Sequence, residues 1–146
     1  PEKAQEKHFL AILFDSKELF ENVKDIEDVY FSDLHYRSVF KLWKESQMVI
    51  ERDSIQSDLI FIYDEIENYI NNDFVVDPDL SKDIELENVK NRLAIDYQKR
   101  KLNEAEMRLF ELENNEDKDE NAITSLMDEV VRITENIKDL ERSEVT

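Results

Sequence analysis

The sequence has no glycine and no cysteine, and its only prolines are Pro1 and Pro78. Helices tolerate an absence of glycine, whereas tight β-hairpins and phosphate-binding loops depend on it. The missing glycine therefore excludes Walker, Rossmann and EF-hand loops. The missing cysteine excludes disulfides and thiolate metal sites. Together these absences favour an all-α protein without a cofactor.

Long apolar runs and clustered positive charge are missing as well. No stretch approaches the roughly 18 apolar residues of a membrane-spanning helix, and no signal-peptide pattern opens the sequence. The net charge is −18, which argues against direct nucleic-acid binding because phosphate contacts need clustered Lys and Arg. We expect a cytoplasmic protein that binds no membrane and has a partner with basic patches. The alternative is that the acidic residues only solvate helix faces.

Residues 1–80 are predicted to form a helical globule. Three segments carry apolar residues at helical spacing, namely KAQEKHFLAILF, DLHYRSVFKLWKES and RDSIQSDLIFIYDEIENYINN. Ser32 is expected to cap the second segment, and Val39, Phe40 and Trp43 are expected to form the centre of the core. The third segment contains a run that resembles a strand by propensity, but no partner strand is present, so we predict a helix.

A long helix is predicted to follow the Asp77–Pro78 turn. Its pattern begins at about Asp79 or Ser81 and continues to about Asn114. About 33 residues at ~1.5 Å each give a helix of roughly 50 Å, which is longer than a small globule needs. We therefore interpret residues 81–101 as a connecting helix whose far end projects from the globule.

Residues 102–146 are predicted to form an antiparallel helical hairpin, because helices joined by a short loop run antiparallel. Two series of apolar residues at three-four spacing would form the seam between its arms. The series are Leu102, Ala105, Leu109 and Leu112 before the acidic turn 114–121, and Ile123, Leu126, Val130, Ile133, Ile137 and Leu140 after it. Asp119, or Asp117 paired with Glu120, is expected to cap the second arm.

Four apolar residues of the hairpin do not belong to the seam. They are Met107 and Phe110 on the first arm and Met127 and Val131 on the second. Within each arm the two residues are spaced by three or four and share a face, and Met and Phe suit interfaces. We predict that these four residues bind a partner. The alternatives are that they pack back on the globule or join two copies of the hairpin in a four-helix bundle.

No pattern in the sequence indicates catalysis or metal binding. His8 and His35 are isolated, which is typical of structural or solvated histidines. The acidic stretches 77–83 and 116–120 lack the glycine turn that fixes calcium ligands. No carboxylate pair or serine lies in a recognisable acid–base setting. We predict no catalytic residue and no metal site.

Three segments of the first half resemble a known family. They are KAQEKHFLAILFDSKELFENV, Tyr30–Phe31 and HYRSVFKLW, and the matching positions are Ala4, Glu6, Leu10, Ala11, Leu13, Phe14, Phe31, His35 and Arg37. The family is the C-terminal helicase-binding domain of bacterial DNA primase of the DnaG type. The related N-terminal domain of the DnaB-type replicative helicase shares the same opening, but it usually carries glycines where this sequence has Ala11–Ile12.

The resemblance implies that the chain docks primase on the hexameric replicative helicase during the priming of DNA replication. It also implies that the terminal hairpin is the chief docking element and that the globule modulates the helicase. The domain would not be an enzyme, because the catalytic domains of such a primase are separate. The alternatives are the N-terminal domain of a DnaB-type helicase and a homodimerising structural module.

Overall fold

The computed structural model describes residues 2–46, 49–74 and 81–143, and within these ranges it consists of helices joined by turns and loops, with no strand. The helices are α1 (Glu2–Asp15), α2 (Phe20–Val23), α3 (Leu34–Glu45), α4 (Ser57–Asn72), α5 (Lys82–Glu113) and α6 (Glu120–Arg142). Short 3-10 turns at Lys17–Leu19, Asp28–Tyr30 and Arg52–Ser54 separate the first four. The all-α prediction is confirmed. The predicted Asp77–Pro78 turn lies outside the described residues.

Helix α1 is the centre of the globule. Five consecutive residues are buried in it, namely Phe9, Leu10, Ala11, Ile12 and Leu13. A helix that is apolar on all sides is surrounded by protein, and α1 packs against α3, α4 and α5. The sequence pattern indicates a broad apolar face, and in the structure residues 9–13 are enclosed on all sides, whereas Lys3, Ala4 and Asp15 are exposed.

Aromatic rings fill the core between α1 and α3. The ring centroid of Phe9 lies 5.8 Å from that of Phe31 and 6.1 Å from that of Phe40. Phe40 in turn lies 6.3 Å from Trp43. Val39, Phe40 and Trp43 are all buried, so the prediction that they form the centre of the core is confirmed.

Asp33 caps α3, and the prediction of Ser32 in this role is wrong. The Asp33 carboxylate accepts hydrogen bonds from the backbone N–H groups of His35 and Tyr36 at 2.9 and 3.0 Å. Ser32 instead donates its hydroxyl hydrogen bond to the Glu6 carboxylate of α1 at 2.6 Å. Because Ser32 bonds a distant helix, its hydroxyl serves tertiary packing rather than the start of α3.

The first half of helix α5 packs against the globule. Ser81 caps it by accepting a hydrogen bond from the Ile84 N–H at 3.4 Å. Leu86, Val89 and Leu93 are buried in the globular core. Residues 81–101 therefore contribute to the core as well as leading out of it, and the division of the chain into three parts stays a prediction.

The second half of α5 pairs with α6. The Asn91 side-chain amide donates a hydrogen bond to the Leu140 carbonyl oxygen at 2.7 Å, which places the end of α6 beside the early part of α5. The two helices are therefore antiparallel. A second apolar cluster joins them, consisting of the buried residues Ala105, Leu126, Ile133 and Ile137 with partly buried Ile95, Leu102, Leu109, Leu112 and Val130. This cluster contains the predicted seam residues except Ile123 and Leu140, and it adds Ile95.

Candidate partner-binding surface

The four residues that were predicted to bind a partner are exposed. The exposed fractions are 58% for Met107, 69% for Phe110, 51% for Met127 and 57% for Val131. A side chain packed on the globule would lose most of this exposure. The alternative in which these residues cover the globule therefore does not describe this structure.

Three of the four residues share one flank of the hairpin. Phe110, Met127 and Val131 each directly follow a seam residue of their helix, at 109, 126 and 130. One position along an α-helix rotates a side chain by about 100°. When two antiparallel helices face each other along a seam, the residue that directly follows a seam residue lies on the same side of the pair in both helices. Phe110, Met127 and Val131 therefore lie along a common side of the hairpin, which we call the apolar flank.

Met107 lies elsewhere on α5. It is two positions beyond the seam residue Ala105, a rotation of about 200° that turns it to the side opposite α6. Its sulfur receives a long contact of 3.8 Å from the Asn103 amide of the same helix. About the axis of α5, the side chain of Met107 is rotated by roughly 60° from that of Phe110. Met107 therefore lies outside the apolar flank.

Charged residues surround the end of the apolar flank. A hollow beside Phe110 is bordered by Glu113, Lys118, Glu120 and Ile123. The turn between the helices is held by local hydrogen bonds, because Asp119 accepts from the Ala122 N–H at 3.1 Å and caps α6. The apolar flank therefore ends at a structured rim whose charge is mainly acidic.

A second exposed apolar group lies on the globule, and the sequence reasoning missed it. Leu34 at the start of α3 and Phe61 on α4 are among the most exposed large apolar side chains described. The His35 ring lies 5.7 Å from the Phe61 ring in an edge-to-face arrangement. Phe61 is one position before the buried Ile62, so its place beside the buried face of α4 was the signal that could have found it.

His8 is a structural histidine in this fold. Its Nδ1 lies 2.6 Å from the Tyr69 hydroxyl, and its Nε2 lies 3.1 Å from the Glu85 carboxylate. These contacts join α1 to α4 and to α5. Both ring nitrogens have partners within the protein, so His8 ties three helices together.

Glu6 is a buried carboxylate in the globule. It accepts hydrogen bonds from the Ser32 hydroxyl and from the Asp33 N–H, the latter at 3.1 Å. Burial raises the pKa of Glu6, although these hydrogen bonds oppose the rise. Both of its donors lie just before α3, so Glu6 fixes the entry to that helix.

No group of three or more His, Asp or Glu side chains within residues 2–46, 49–74 and 81–143 is arranged to hold a metal ion. In the same part of the chain, no helix combines the length and apolar character needed to cross a bilayer.

Comparisons of the chain with protein-family models, with curated proteins and with solved structures found no match. The resemblance to the helicase-binding domain of primase therefore rests on the residues quoted above and stays a prediction.

Proposed function

We propose that this chain is a docking module of the kind found at the C-terminus of bacterial DNA primase, and that its partner is the hexameric DnaB-type replicative helicase. The observation that carries the proposal is the apolar flank of Phe110, Met127 and Val131, which is exposed although the hairpin has a complete seam of its own. Exposed apolar groups beyond the needs of folding are typical of binding surfaces.

The proposed mechanism is localisation, in which no bond is made or broken by this chain. Docking on the helicase would raise the effective concentration of a linked primase near newly unwound strand. Phe and Met side chains suit such a contact because they bury large areas and adapt in shape. The acidic rim at Glu113 and Glu120 suits a partner surface with basic residues around an apolar pocket. A cytoplasmic location and a lack of direct nucleic-acid binding are parts of this proposal.

The test is the double variant Phe110→Ala with Val131→Ala. Both side chains are exposed, so we expect its free energy of unfolding to stay within about 0.5 kcal/mol of the parent. Its affinity for the helicase should fall by ~1–3 kcal/mol, the size of ordinary interface hot spots. Titration calorimetry with the helicase hexamer measures the affinity, and thermal melting measures the stability.

The chain offers a matched control in Phe61→Ala with Val49→Ala. These are again one exposed phenylalanine and one exposed valine, but they lie on the globule. The control should keep full affinity under the proposal. Equal losses in both double variants would show that the apolar flank is not the docking surface, and unchanged affinity in the hairpin variant would reject its role outright.

A second candidate function uses the same apolar flank to join two copies of the chain. Two such flanks facing each other would form a four-helix bundle, as homodimeric helical modules do. Sedimentation of the isolated chain at micromolar concentration separates the two functions. A monomer that shifts only when helicase is added supports docking, whereas a dimer that Phe110→Ala with Val131→Ala converts to monomer supports self-association.

A further inference from the structure

The two helices of the hairpin form the walls of a groove on the apolar flank. Phe110 lies on the α5 side of this groove, and Met127 and Val131 lie on the α6 side. The seam residues that join the two helices lie between these walls. A groove with apolar side chains along both walls suits a third helix, because amphipathic helices bind by laying their apolar face into such grooves.

The apolar part of the groove is about three helical turns long. The hydrogen bond from the Asn91 amide to the Leu140 carbonyl oxygen sets the register of α5 against α6, and in this register Val131 lies about level with Arg100. Phe110 therefore lies roughly 15 Å from Val131 along the hairpin. An α-helix covers this length in about ten residues, enough for apolar side chains at i, i+3 or i+4, and i+7.

The tip of the groove is acidic. Glu106 and Glu113 directly follow the seam residues at 105 and 112, so they lie on the same side of the hairpin as Phe110. Glu120 borders the hollow beside Phe110 together with one cation, Lys118. All three glutamates are exposed. At this end the groove therefore presents an excess of negative charge to a partner.

The end of the groove nearer the globule is basic. Lys138 directly follows the seam residue at 137. Lys99 precedes Phe110 by eleven positions, which is about three helical turns, so it lies on the same side of α5. Both lysines are exposed. Glu141 also lies on this side, but it is about one turn farther from Val131 than Lys138 is. The charge along the groove thus changes from acidic at the tip to basic beyond Val131.

We infer that this groove binds one amphipathic α-helix of the partner, laid along the hairpin, with Lys or Arg side chains over the acidic tip and Asp or Glu side chains over the basic end. Complementary charges across an interface fix the register of the two surfaces. The inference rests on the proposed function, because it specifies what the docking surface recognises. It does not depend on which protein supplies the helix, so a synthetic helix tests it.

The probe is a peptide of roughly 18 residues with leucines at three-four spacing, Glu at the polar positions of its N-terminal half and Lys at those of its C-terminal half. The control peptide has the same composition and net charge, but its Glu and Lys alternate along both halves. The same side-chain staple holds both peptides helical. We expect the charge-ordered peptide to bind with a dissociation constant of roughly 0.1–1 mM and the control about fivefold more weakly. Titrations followed by the amide resonances of the hairpin measure both affinities.

Two triple variants of the full chain separate the local charges from the net charge. The first removes the acidic groups of the groove, with Glu106→Gln, Glu113→Gln and Glu120→Gln. The second makes the same change in net charge on the opposite side of the hairpin, at residues that directly precede seam residues, with Glu104→Gln, Glu111→Gln and Glu129→Gln. Affinity for the charge-ordered peptide should fall about fivefold in the first variant and stay unchanged in the second.

A spin label at the Lys end of the peptide reports its placement. It should broaden the amide resonances of Glu120 and Ile123 at the tip and leave that of Lys138 sharp. The inference is overturned by the opposite pattern, by the absence of a saturable response, by equal binding of the two peptides, or by equal affinities of the two triple variants. Self-association of the chain through the groove at the concentrations of the titration also overturns it, because a second copy is then the occupant.

Failure of this inference and failure of the proposed function are distinguishable. A chain that binds the charge-ordered peptide but not the helicase keeps the inference and rejects the proposed partner. A chain that binds the helicase through Phe110 and Val131 but discriminates neither peptide keeps the proposed function and rejects the charge-ordered helix.

Discussion

The globule and the hairpin bury their apolar side chains in different ways. The globule encloses rings of Phe9, Phe31 and Phe40 from several directions, whereas the hairpin joins two helices along one aliphatic seam. The buried polar residues described, Glu6, Ser16 and Asn88, all belong to the globule. A closed core can hold a polar group where surrounding elements supply its partners, as Ser32 and Asp33 do for Glu6. A two-helix seam has no third element, so its flanks stay exposed to solvent.

The largest difference between the two regions should follow from removing an aromatic ring of the globule. Phe40 is fully buried and contacts Phe9, Phe31 and Trp43. We expect Phe40→Ala to lower the free energy of unfolding by ~3–5 kcal/mol, because the ring leaves a cavity that its neighbours cannot fill. Urea denaturation followed by Trp43 fluorescence measures this loss. A decrease below about 1 kcal/mol would show that the aromatic cluster is not the main core.

A smaller effect is expected from the corresponding truncation in the hairpin. Ile133 is the most buried residue of the seam, and Ile133→Ala should destabilise the hairpin by ~2–4 kcal/mol. Far-UV circular dichroism should show loss of helix at a lower temperature than the change in Trp43 fluorescence. If both signals move together, the helix α5 makes the globule and the hairpin one cooperative unit, and the comparison between two regions fails.

The free energy of unfolding of the globule should depend on pH because of Glu6. Because burial raises the pKa of Glu6, the folded chain binds this proton more tightly than the unfolded chain does. The stabilisation that follows is fully present below the ordinary value of 4.5 and is lost as pH rises through the raised pKa. Glu6→Gln should therefore gain stability relative to the parent as pH increases from about 4 to 7.

Denaturation at several pH values checks this prediction, with Glu104→Gln as the control on the exposed surface of the hairpin. The control should follow the parent at every pH. Parallel profiles for Glu6→Gln and the parent chain would contradict the prediction, because they would mean that the hydrogen bonds from Ser32 and Asp33 balance the effect of burial on the pKa of Glu6.

The smallest effects are expected in the acidic turn of the hairpin. Asp119 caps α6, so Asp119→Ala should cost about 1 kcal/mol. The exposed Glu116 should contribute less than about 0.5 kcal/mol, and Glu116→Gln is therefore the matched comparison. Thermal melting of the two variants separates capping from general acidic charge. Equal effects would mean that the cap adds nothing to the stability of the turn.

The helices and the hairpin seam could be predicted from sequence because they depend on spacing alone. The positions of Leu109, Leu126 and Ile133 define faces whatever else surrounds them. The cap at Asp33 could not be predicted in this way, since the competing hydroxyl of Ser32 is used by Glu6 from a different helix. Spacing shows which side of a helix is apolar, but it does not show which distant group takes a hydrogen bond.

The candidate surface was predictable to a similar degree. The exposure of Phe110, Met127 and Val131 followed from their places outside the seam. The different direction of Met107 follows from the same spacing, because Met107 is two positions beyond the predicted seam residue Ala105. Phe61 was missed because its neighbours Leu59 and Ile62 are buried and hid it within an apolar run.

Helix α5 runs without a break from the globule into the hairpin, so a tilt of the helix at the globule would move the far end of the hairpin. The Arg100 guanidinium of α5 donates hydrogen bonds to the carbonyl oxygens of Val29 and Tyr30 at 3.3 and 3.2 Å. The Tyr97 ring stacks on the Tyr30 ring, and the two ring centroids are 4.7 Å apart. From Arg100 to Glu113 the arm measures roughly 20 Å. A tilt of α5 by about 10° at Arg100 would therefore displace Glu113 by roughly 3 Å, which is comparable to the length of a hydrogen bond. The contacts of Tyr97 and Arg100 therefore help to fix the position of Phe110 relative to the globule.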